Sequence, residues 1–379
     1  MANPIYLDYN GTTPHAPEVI EAMRPFLETE FGNPSSSHWY GTRPRQAVET
    51  ARRQVGELLG CPAQRLIFTS GGTESNNHAI KTIAGSLFAR GTHIITSAVE
   101  HPAVLEVCRF MEGHGFSVTI LPVDEDGLVD PSDAAAAITD RTILISIMHA
   151  NNEVGTIQPI AEIARLARQK EILVHTDAAQ SVGKIVTLVD ELGVDLLSVA
   201  GHKIYAPKGV GALYFGPGVQ PGVFCHGAGQ EMGVRAGTEN VLEIVGLGQA
   251  CQIAAISLEQ NAAHLRTMRD RLEEGLKSAL ADIKINGHRV KRLPNTTSVS
   301  FLDLEANRIL EKIDPVVAAS AGAACHSDHV QISHVLQAMQ IPERWAKGTV
   351  RFTTGRMTTA EEIDLALDAI VAAARELRR

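Results

Sequence analysis

Short apolar runs recur between about residue 64 and residue 216, and stretches with helical spacing separate several of them. Residues Ile160 to Ala167, for example, carry apolar side chains at three- and four-residue intervals, which is typical of an amphipathic helix. The runs themselves are nearly continuous, as expected of strands that are covered on both faces. They comprise residues 66–69, 93–96, 118–121, 143–146, 172–175 and 196–199. This alternation predicts an α/β domain with a mainly parallel sheet.

The pattern changes after about residue 253. A long amphipathic helix is predicted from about Ile253 to Leu280, and a closing helix from Thr359 to Arg379. The closing helix has acidic residues early and arginines late, which suits the helix dipole. Short strand-like runs lie between the two helices, at residues 283–285, 298–301 and 350–352. We therefore expect a large domain over residues 16–255 and a smaller α+β domain made of residues 1–15 and 256–379.

Composition narrows the functional classes. The chain has 379 residues, of which 44% are hydrophobic, enough for a large buried core. Its formal net charge of −9 argues against a general nucleic-acid or anionic-membrane binder, because such surfaces need basic patches. No run of about 18 apolar residues and no basic leader is present, so we expect neither a membrane span nor a signal peptide.

The cysteines indicate the redox environment. There are five, they are widely spaced, and no two form a CxxC pair. This usage fits a reducing cytosol rather than a disulfide framework, and it predicts a cytoplasmic protein. Their positions are Cys61, Cys108, Cys225, Cys251 and Cys325.

Three polar segments follow predicted strands, where ligands of parallel sheets gather. The first is Gly71-Gly72-Thr73, between a strand and a helix. Glycines let the backbone approach a ligand, and the N–H groups at a helix start bind phosphate. Thr73 adds a hydroxyl. The alternative is an ordinary helix cap after a turn.

The second segment places Asp177 at the end of an apolar run. A carboxylate there is costly unless it meets a cation or hydrogen-bond donors, and a protonated pyridine nitrogen would serve. Gln180 follows within one helical turn and could donate to the phenolic oxygen of the same ring. A helix cap is the alternative role for Asp177.

The third segment is Gly201-His202-Lys203. A lysine in an apolar setting has a lowered pKa and can form a Schiff base with an aldehyde, while His202 could contact a phosphate. A surface loop is the alternative. One strand–helix–strand step separates Asp177 from Lys203, so both can reach one site. Together the three segments could hold a phosphorylated aromatic aldehyde.

Two further residues are candidates for chemistry. His101 follows a strand end, where an imidazole could stack on the ring and move protons, or serve as a structural residue. Cys325 lies among small residues, so that a thiolate there could be exposed. A zinc site formed by Cys325, His326 and His329 is the alternative, although further ligands are not evident at suitable spacing. We therefore predict no metal.

These segments are recognisable as a set. Over essentially its full length the chain resembles the cysteine desulfurases of the class V aminotransferase group, and equally their relatives the selenocysteine lyases. The resemblance is also carried by residues 6–10, 32–36, 151–155, 235–238, 292–296 and Arg351. It implies a homodimeric, fold-type-I pyridoxal 5′-phosphate enzyme, with a mainly parallel seven-stranded sheet in the large domain and a smaller α+β domain.

The resemblance also implies roles for individual residues. Lys203 would hold the cofactor, Asp177 would pair with its pyridine nitrogen, Gln180 with its phenolic oxygen, and His101 would stack on its ring. Three further residues would bind the phosphate together with Gly72, namely Thr73, His202 and, from the partner subunit, Thr238. Asn152 would lie near the ring, whereas Arg351, helped by Asn33, would bind the substrate carboxylate through its bidentate fork.

The implied reaction converts L-cysteine to L-alanine, with the sulfur carried as a persulfide on Cys325 to an acceptor protein, as in iron–sulfur cluster assembly. Two departures stand out. Ala200 replaces a serine that binds phosphate in many desulfurases, and residues 325–329 look more like the corresponding stretch of selenocysteine lyases. We favour L-cysteine, because desulfurases are far commoner. L-selenocysteine is the alternative substrate, and a transaminase or a non-catalytic scaffold are the other classes.

Overall fold

The structure is a computed structural model that describes residues 3–321 and 332–379. Its strands are β1 (Ile5–Tyr6), β2 (Leu66–Thr69), β3 (His93–Ser97), β4 (Ser117–Leu121), β5 (Thr142–Ser146), β6 (Leu173–Asp177), β7 (Leu196–Ala200), β8 (Gly211–Phe215), β9 (Ile283–Asn286), β10 (Thr296–Phe301), β11 (Val317–Ala318), β12 (Ser320–Ala321) and β13 (Thr349–Thr353). Its α-helices are α1 (Pro17–Glu28), α2 (Trp39–Leu59), α3 (Gly72–Ser86), α4 (Pro102–Glu112), α5 (Pro131–Ala137), α6 (Ile160–Arg168), α7 (Val189–Leu192), α8 (Val241–Ala279), α9 (Ala306–Ile313), α10 (His334–Ala338), α11 (Glu343–Ala346) and α12 (Ala360–Leu377).

The large sheet has seven strands in the order β2-β8-β7-β6-β5-β3-β4. β8 runs antiparallel to β2 and β7, and the other neighbours pair in parallel. Successive residues of β2 alternate between two cores, because Ile67 packs on one face and Phe68 on the other. Helices therefore cover both faces, which confirms the predicted α/β architecture with a mainly parallel sheet.

A smaller antiparallel sheet has the order β12-β13-β10-β9. Its core contains Phe301, Phe352 and Leu272, together with Leu7 from the start of the chain. β1 pairs in parallel with β11, so the first residues are built into this second unit. The separate cores support the division at residues 15/16 and 255/256, which stays a prediction.

Helix α8 joins the two units and begins earlier than the sequence predicted. It starts at Val241 rather than near Ile253, and its backbone departs from helical angles at Ser257. Among the described helices, α8 alone contains a window apolar enough and long enough to cross a membrane. It packs against α1 and α2, and residues such as Leu247 and Cys251 lie in the large-domain core. This burial accounts for its apolar composition.

Candidate active site

A cavity of about 430 Å³ lies at the carboxyl edge of the large sheet, where the small domain meets it. It gathers residues that follow β2, β3, β6 and β7, as expected for a parallel sheet. The predicted site residues that line it are Gly72, Thr73, His101, Asn152, Asp177, Gln180, His202, Lys203 and Arg351. Segments spread over 280 residues of sequence thus converge on one space.

Lys203 ends the short 3₁₀ turn that follows β7. Its Nζ donates to the carbonyl oxygens of Asn10, at 2.6 Å, and Gly11, at 2.7 Å. Burial, helped by the nearby Arg351 guanidinium, lowers the pKa of Lys203 to about 8, against the opposing effect of Asp8 and Asp177. A lysine amine with a lowered pKa is unprotonated at a lower pH than usual, and the unprotonated amine is the form that can act as a nucleophile.

Asp177 is the last residue of β6 and is buried. Its Oδ1 accepts from the backbone N–H of Ala179 at 2.9 Å, and its Oδ2 accepts from Asn76 Nδ2 at 2.7 Å. The carboxylate thus stabilises the turn that follows β6, where the alternative role predicted a helix, and it also lines the cavity. Each oxygen keeps a second lone pair, so the group can still accept from a protonated ring nitrogen.

The start of α3 forms a cradle for an anion. Its N-cap is Gly71, whose φ of 141° is readily available only to glycine and which offers no side-chain cap. The N–H groups of the first turn, at Gly72 and Thr73, are therefore left for a ligand. His202 lines the same cavity, and burial, helped by Lys203 and Lys208, lowers its pKa to about 4, so it is a neutral imidazole at pH 7.

His101 is the N-cap of α4. Its Nδ1 accepts from the backbone N–H of Ala103 at 3.1 Å, which leaves the proton of the neutral ring on Nε2. Burial lowers the pKa of His101, with Asp177 opposing that shift and Lys203 and His334 adding to it. His101 therefore has the structural role considered as its alternative and still faces the cavity as a neutral ring.

Arg351 extends from β13 of the small sheet into the cavity. Its Nη2 donates to Asp8 Oδ1 at 2.6 Å and its Nη1 to the carbonyl oxygen of Asn152 at 3.0 Å. Its buried Nε has no partner among the described residues. The guanidinium is thus held in place with donor capacity left for an incoming carboxylate.

Three predicted residues are not among those lining this cavity. The Asn33 side chain accepts from the backbone N–H of Ser35 at 2.9 Å, on an exposed turn between α1 and α2. Thr238 is exposed, just before α8. Cys325 lies outside the described residues, as do the other two members of the alternative zinc site. Among the residues that the structure does describe, no metal-binding cluster of His, Cys, Asp or Glu is found.

Sequence reasoning missed Asn10, the hub of the polar network. Its backbone oxygen accepts from Lys203 and from Gln180, while its side-chain oxygen accepts from Asn295 and Lys184. The only signal was its place in the segment 6–10 that carries the family resemblance. Asn76 and Lys184 were missed as well, because their partners lie far away in sequence or carry no motif of their own.

Comparison with known proteins agrees with this geometry. A sequence profile of the family described as Aminotransferase class-V matches residues 5–366. A cysteine desulfurase IscS from Dictyoglomus turgidum is 48% identical over 379 residues, which is 100% of this chain and 96% of that relative. The solved structure of a NifS-like protein superposes with a TM-score of 0.93 at 37% identity, over 99% of this chain and 100% of that one. The structure of SspA in complex with cysteine gives 0.82 at 35% identity, over 94% of this chain and 100% of the other.

The fold and the site define a class V aminotransferase, and the chain belongs to that family. Within the family it is a cysteine desulfurase, since relatives of that name match almost its full length. The resemblance inferred from the sequence is thereby confirmed.

Proposed function

We propose that this chain is a pyridoxal 5′-phosphate-dependent enzyme that converts L-cysteine to L-alanine and carries the sulfur as a persulfide on Cys325. The observation that supports the proposal best is the convergence of Lys203, Asp177 and the start of α3 on one cavity. An amine, a carboxylate and a phosphate cradle are the groups that hold this cofactor. We further propose that the enzyme works in the cytoplasm, without direct nucleic-acid or membrane binding.

The residues present fit the cofactor. The first turn of α3 has no side-chain cap, so its N–H groups suit the phosphate, joined by Thr73 and His202. The Asp177 carboxylate suits the pyridine nitrogen, and Gln180 the phenolic oxygen. When bound, pyridoxal phosphate withdraws electrons from the α-carbon of an amino acid and so weakens the bond between its β-carbon and sulfur.

The protein supplies the remaining chemistry. Arg351 binds the substrate carboxylate, and its ion pair with Asp8 sets the direction of the guanidinium. Lys203 Nζ, with its lowered pKa, takes the proton from the α-carbon and returns one later. The Cys325 thiolate attacks the substrate sulfur: a sulfur–sulfur bond forms and the carbon–sulfur bond breaks. The electron pair of the broken bond stays with the three-carbon fragment, which gains a proton and leaves as alanine.

L-Cysteine is the proposed substrate, and L-selenocysteine is the second candidate. The relatives are named cysteine desulfurases, and SspA was solved in complex with cysteine, so both observations favour the sulfur amino acid. The second candidate is favoured by residues 325–329 alone. The two substrates are distinguished by measuring sulfide release from L-cysteine and selenide release from L-selenocysteine, with and without reductant. A large preference for L-selenocysteine would replace L-cysteine as the assigned substrate.

A homodimer is part of the proposal. Asn33 and Thr238 do not line the cavity of their own chain and are exposed, as expected if they complete a partner's site. A cluster of exposed aromatic side chains, formed by Phe31, Trp39 and Tyr40, lies beside Asn33. Exposed aromatic clusters of this kind are typical of subunit contacts. Sedimentation of the purified chain tests this part directly.

The decisive experiment uses two cysteine variants of the cofactor-loaded enzyme. C325A is expected to abolish alanine formation from cysteine while the cofactor absorbance is kept. C61A is the matched control, since Cys61 is a partly buried thiol outside the cavity, and it should retain activity. Undiminished turnover in C325A would contradict the role of Cys325. A chain that takes up no pyridoxal phosphate would contradict the whole proposal.

A further inference from the structure

A second lysine lies in the polar network around the cavity. Lys184 is 6% exposed and four residues after Gln180. Its hydrogen-bond partners among the described residues are neutral amide oxygens and not carboxylates, although ionised lysines are rarely buried unless paired. The proposed mechanism gives this amine no task, so its surroundings need an explanation.

Lys184 Nζ donates to Gln180 Oε1 at 2.9 Å and to Asn10 Oδ1 at 3.0 Å. A neutral amine has two N–H groups, which match these two acceptors. Burial lowers the pKa of Lys184 well below its usual value, and the nearby Lys203 and Arg351 act in the same direction. The arrangement is therefore satisfied without a counter-ion.

These contacts determine which way the Gln180 amide faces. Its Oε1 accepts from Lys184, and its Nε2 donates to the Asn10 carbonyl at 3.1 Å. A flipped amide would place Oε1 against that carbonyl oxygen, where neither group can donate, and it would remove the oxygen that accepts from Lys184. Because Gln180 also lines the cavity, the second hydrogen on Nε2 is left for a ligand there.

We propose that Lys184 is a positioning residue, which fixes the Gln180 amide so that its free N–H donates to the phenolic oxygen of the cofactor. The identity of that acceptor rests on the proposed function. Lys184 acts through Gln180 and does not itself touch the cofactor. Loss of the amine frees the amide to rotate, and the donor is then no longer presented in one direction.

The test compares two ligands on four forms of the protein: the wild-type chain, K184M, Q180M and the double variant. The ligands are pyridoxal phosphate and its 3-deoxy analogue, which lacks the phenolic oxygen. K184M should bind pyridoxal phosphate about tenfold more weakly than the wild type does, the worth of about one hydrogen bond. It should bind the 3-deoxy analogue as tightly as the wild type binds that analogue. The double variant should be no weaker than Q180M. K170M, which changes an exposed lysine, is the control and should match the wild type.

Other outcomes overturn the inference. Equal losses for both ligands, or losses that add in the double variant, would show that Lys184 acts through general stability rather than through Gln180. Thermal unfolding of each apo-protein checks folding, and K184Q, which keeps an amide donor, replaces K184M if the latter does not fold. If the wild-type chain binds neither ligand, both the proposed function and the role of Lys184 are contradicted. If the wild type binds and K184M behaves identically, only the present inference falls.

Discussion

The Arg351 guanidinium lies 2.6 Å from the Asp8 carboxylate, so the residue that reaches the cavity from the small domain is held by the start of the chain. The same guanidinium donates a second hydrogen bond to the carbonyl oxygen of Asn152. The side chain is thus oriented before any substrate arrives. Preorganisation of this kind reduces the entropic cost of binding a carboxylate.

Replacement of Arg351 by lysine tests that role. A lysine keeps the charge and loses the planar fork, so R351K should raise KM for cysteine by about 10- to 100-fold, the worth of one charged hydrogen bond. Steady-state kinetics give the value. R344K is the control, because Arg344 forms an exposed pair with Asp303 and neither residue lines the cavity. A KM close to that of the wild type would remove Arg351 from substrate binding.

The lowered pKa of Lys203 predicts a pH dependence for cofactor capture. The free amine is the reactive form, and its fraction rises with pH through a midpoint near 8 rather than near the ordinary value for lysine. The rate at which apo-protein forms a borohydride-reducible adduct at Lys203 should follow that curve. In R351M the midpoint should move upward, because a positive neighbour is lost. A midpoint above 10 in the wild type would contradict the described surroundings of the amine.

Ala200 gives a prediction about the phosphate cradle. It lines the cavity and faces Gly72, where an added Cβ would come within 3.3 Å of the Ala200 methyl group. A200S adds one hydroxyl there, so pyridoxal phosphate should leave about 2- to 10-fold more slowly, as expected for one net hydrogen bond. Dissociation is followed by absorbance. Pyridoxal without the phosphate is the control ligand, and equal slowing for both would place the hydroxyl elsewhere.

A buried histidine in β6 predicts part of the acid sensitivity. His175 bridges Ser146 and Ser198, and burial lowers its pKa to about 4, with Asp177 opposing the shift. The unfolded chain therefore binds a proton that the folded chain excludes between about pH 6.5 and 4, so stability is lost as pH falls through that window. The slope attributable to one such group is about 1.4 kcal/mol per pH unit.

Chemical unfolding across that window checks the prediction. H175Q should lower the slope of the unfolding free energy against pH by about 1.4 kcal/mol per pH unit, the value for one proton. This holds whatever its effect on the absolute stability. H114Q, at an exposed histidine, should leave the slope unchanged. An unchanged slope in H175Q would mean that other groups are responsible for the acid sensitivity.

Much of the large sheet could be predicted from the sequence, because its strands are buried on both faces and read as apolar runs. The start of α8 could not. Gly246 and Gly248 are unfavourable in an isolated helix, yet an added Cβ at Gly248 would come within 2.5 Å of the Ala51 backbone. Close packing on α2 therefore needs glycine there, and tertiary contact overrides local propensity.

The candidate site also contains residues that the sequence could predict and residues that it could not. Lys203 and Asp177 follow strands, so sheet topology alone brings them together. Asn10 and Asn295 are joined by a hydrogen bond across 285 residues of sequence, and no local pattern indicates such a contact. The network around Asn10 was therefore beyond prediction, whereas Lys203 and Asp177, which line the same cavity, were not.

The pairing of β1 with β11, and of Asp8 with Thr353 beyond it, has a consequence for synthesis on the ribosome. The first ten residues emerge first, yet their partners emerge among the last. The strands of the large sheet all lie between Leu66 and Phe215, so they are synthesised well before the segments that anchor Asn10 beside Lys203. The site around Asn10 therefore cannot be completed until Thr353 has been synthesised, because the Asn10 N–H donates to the Thr353 hydroxyl.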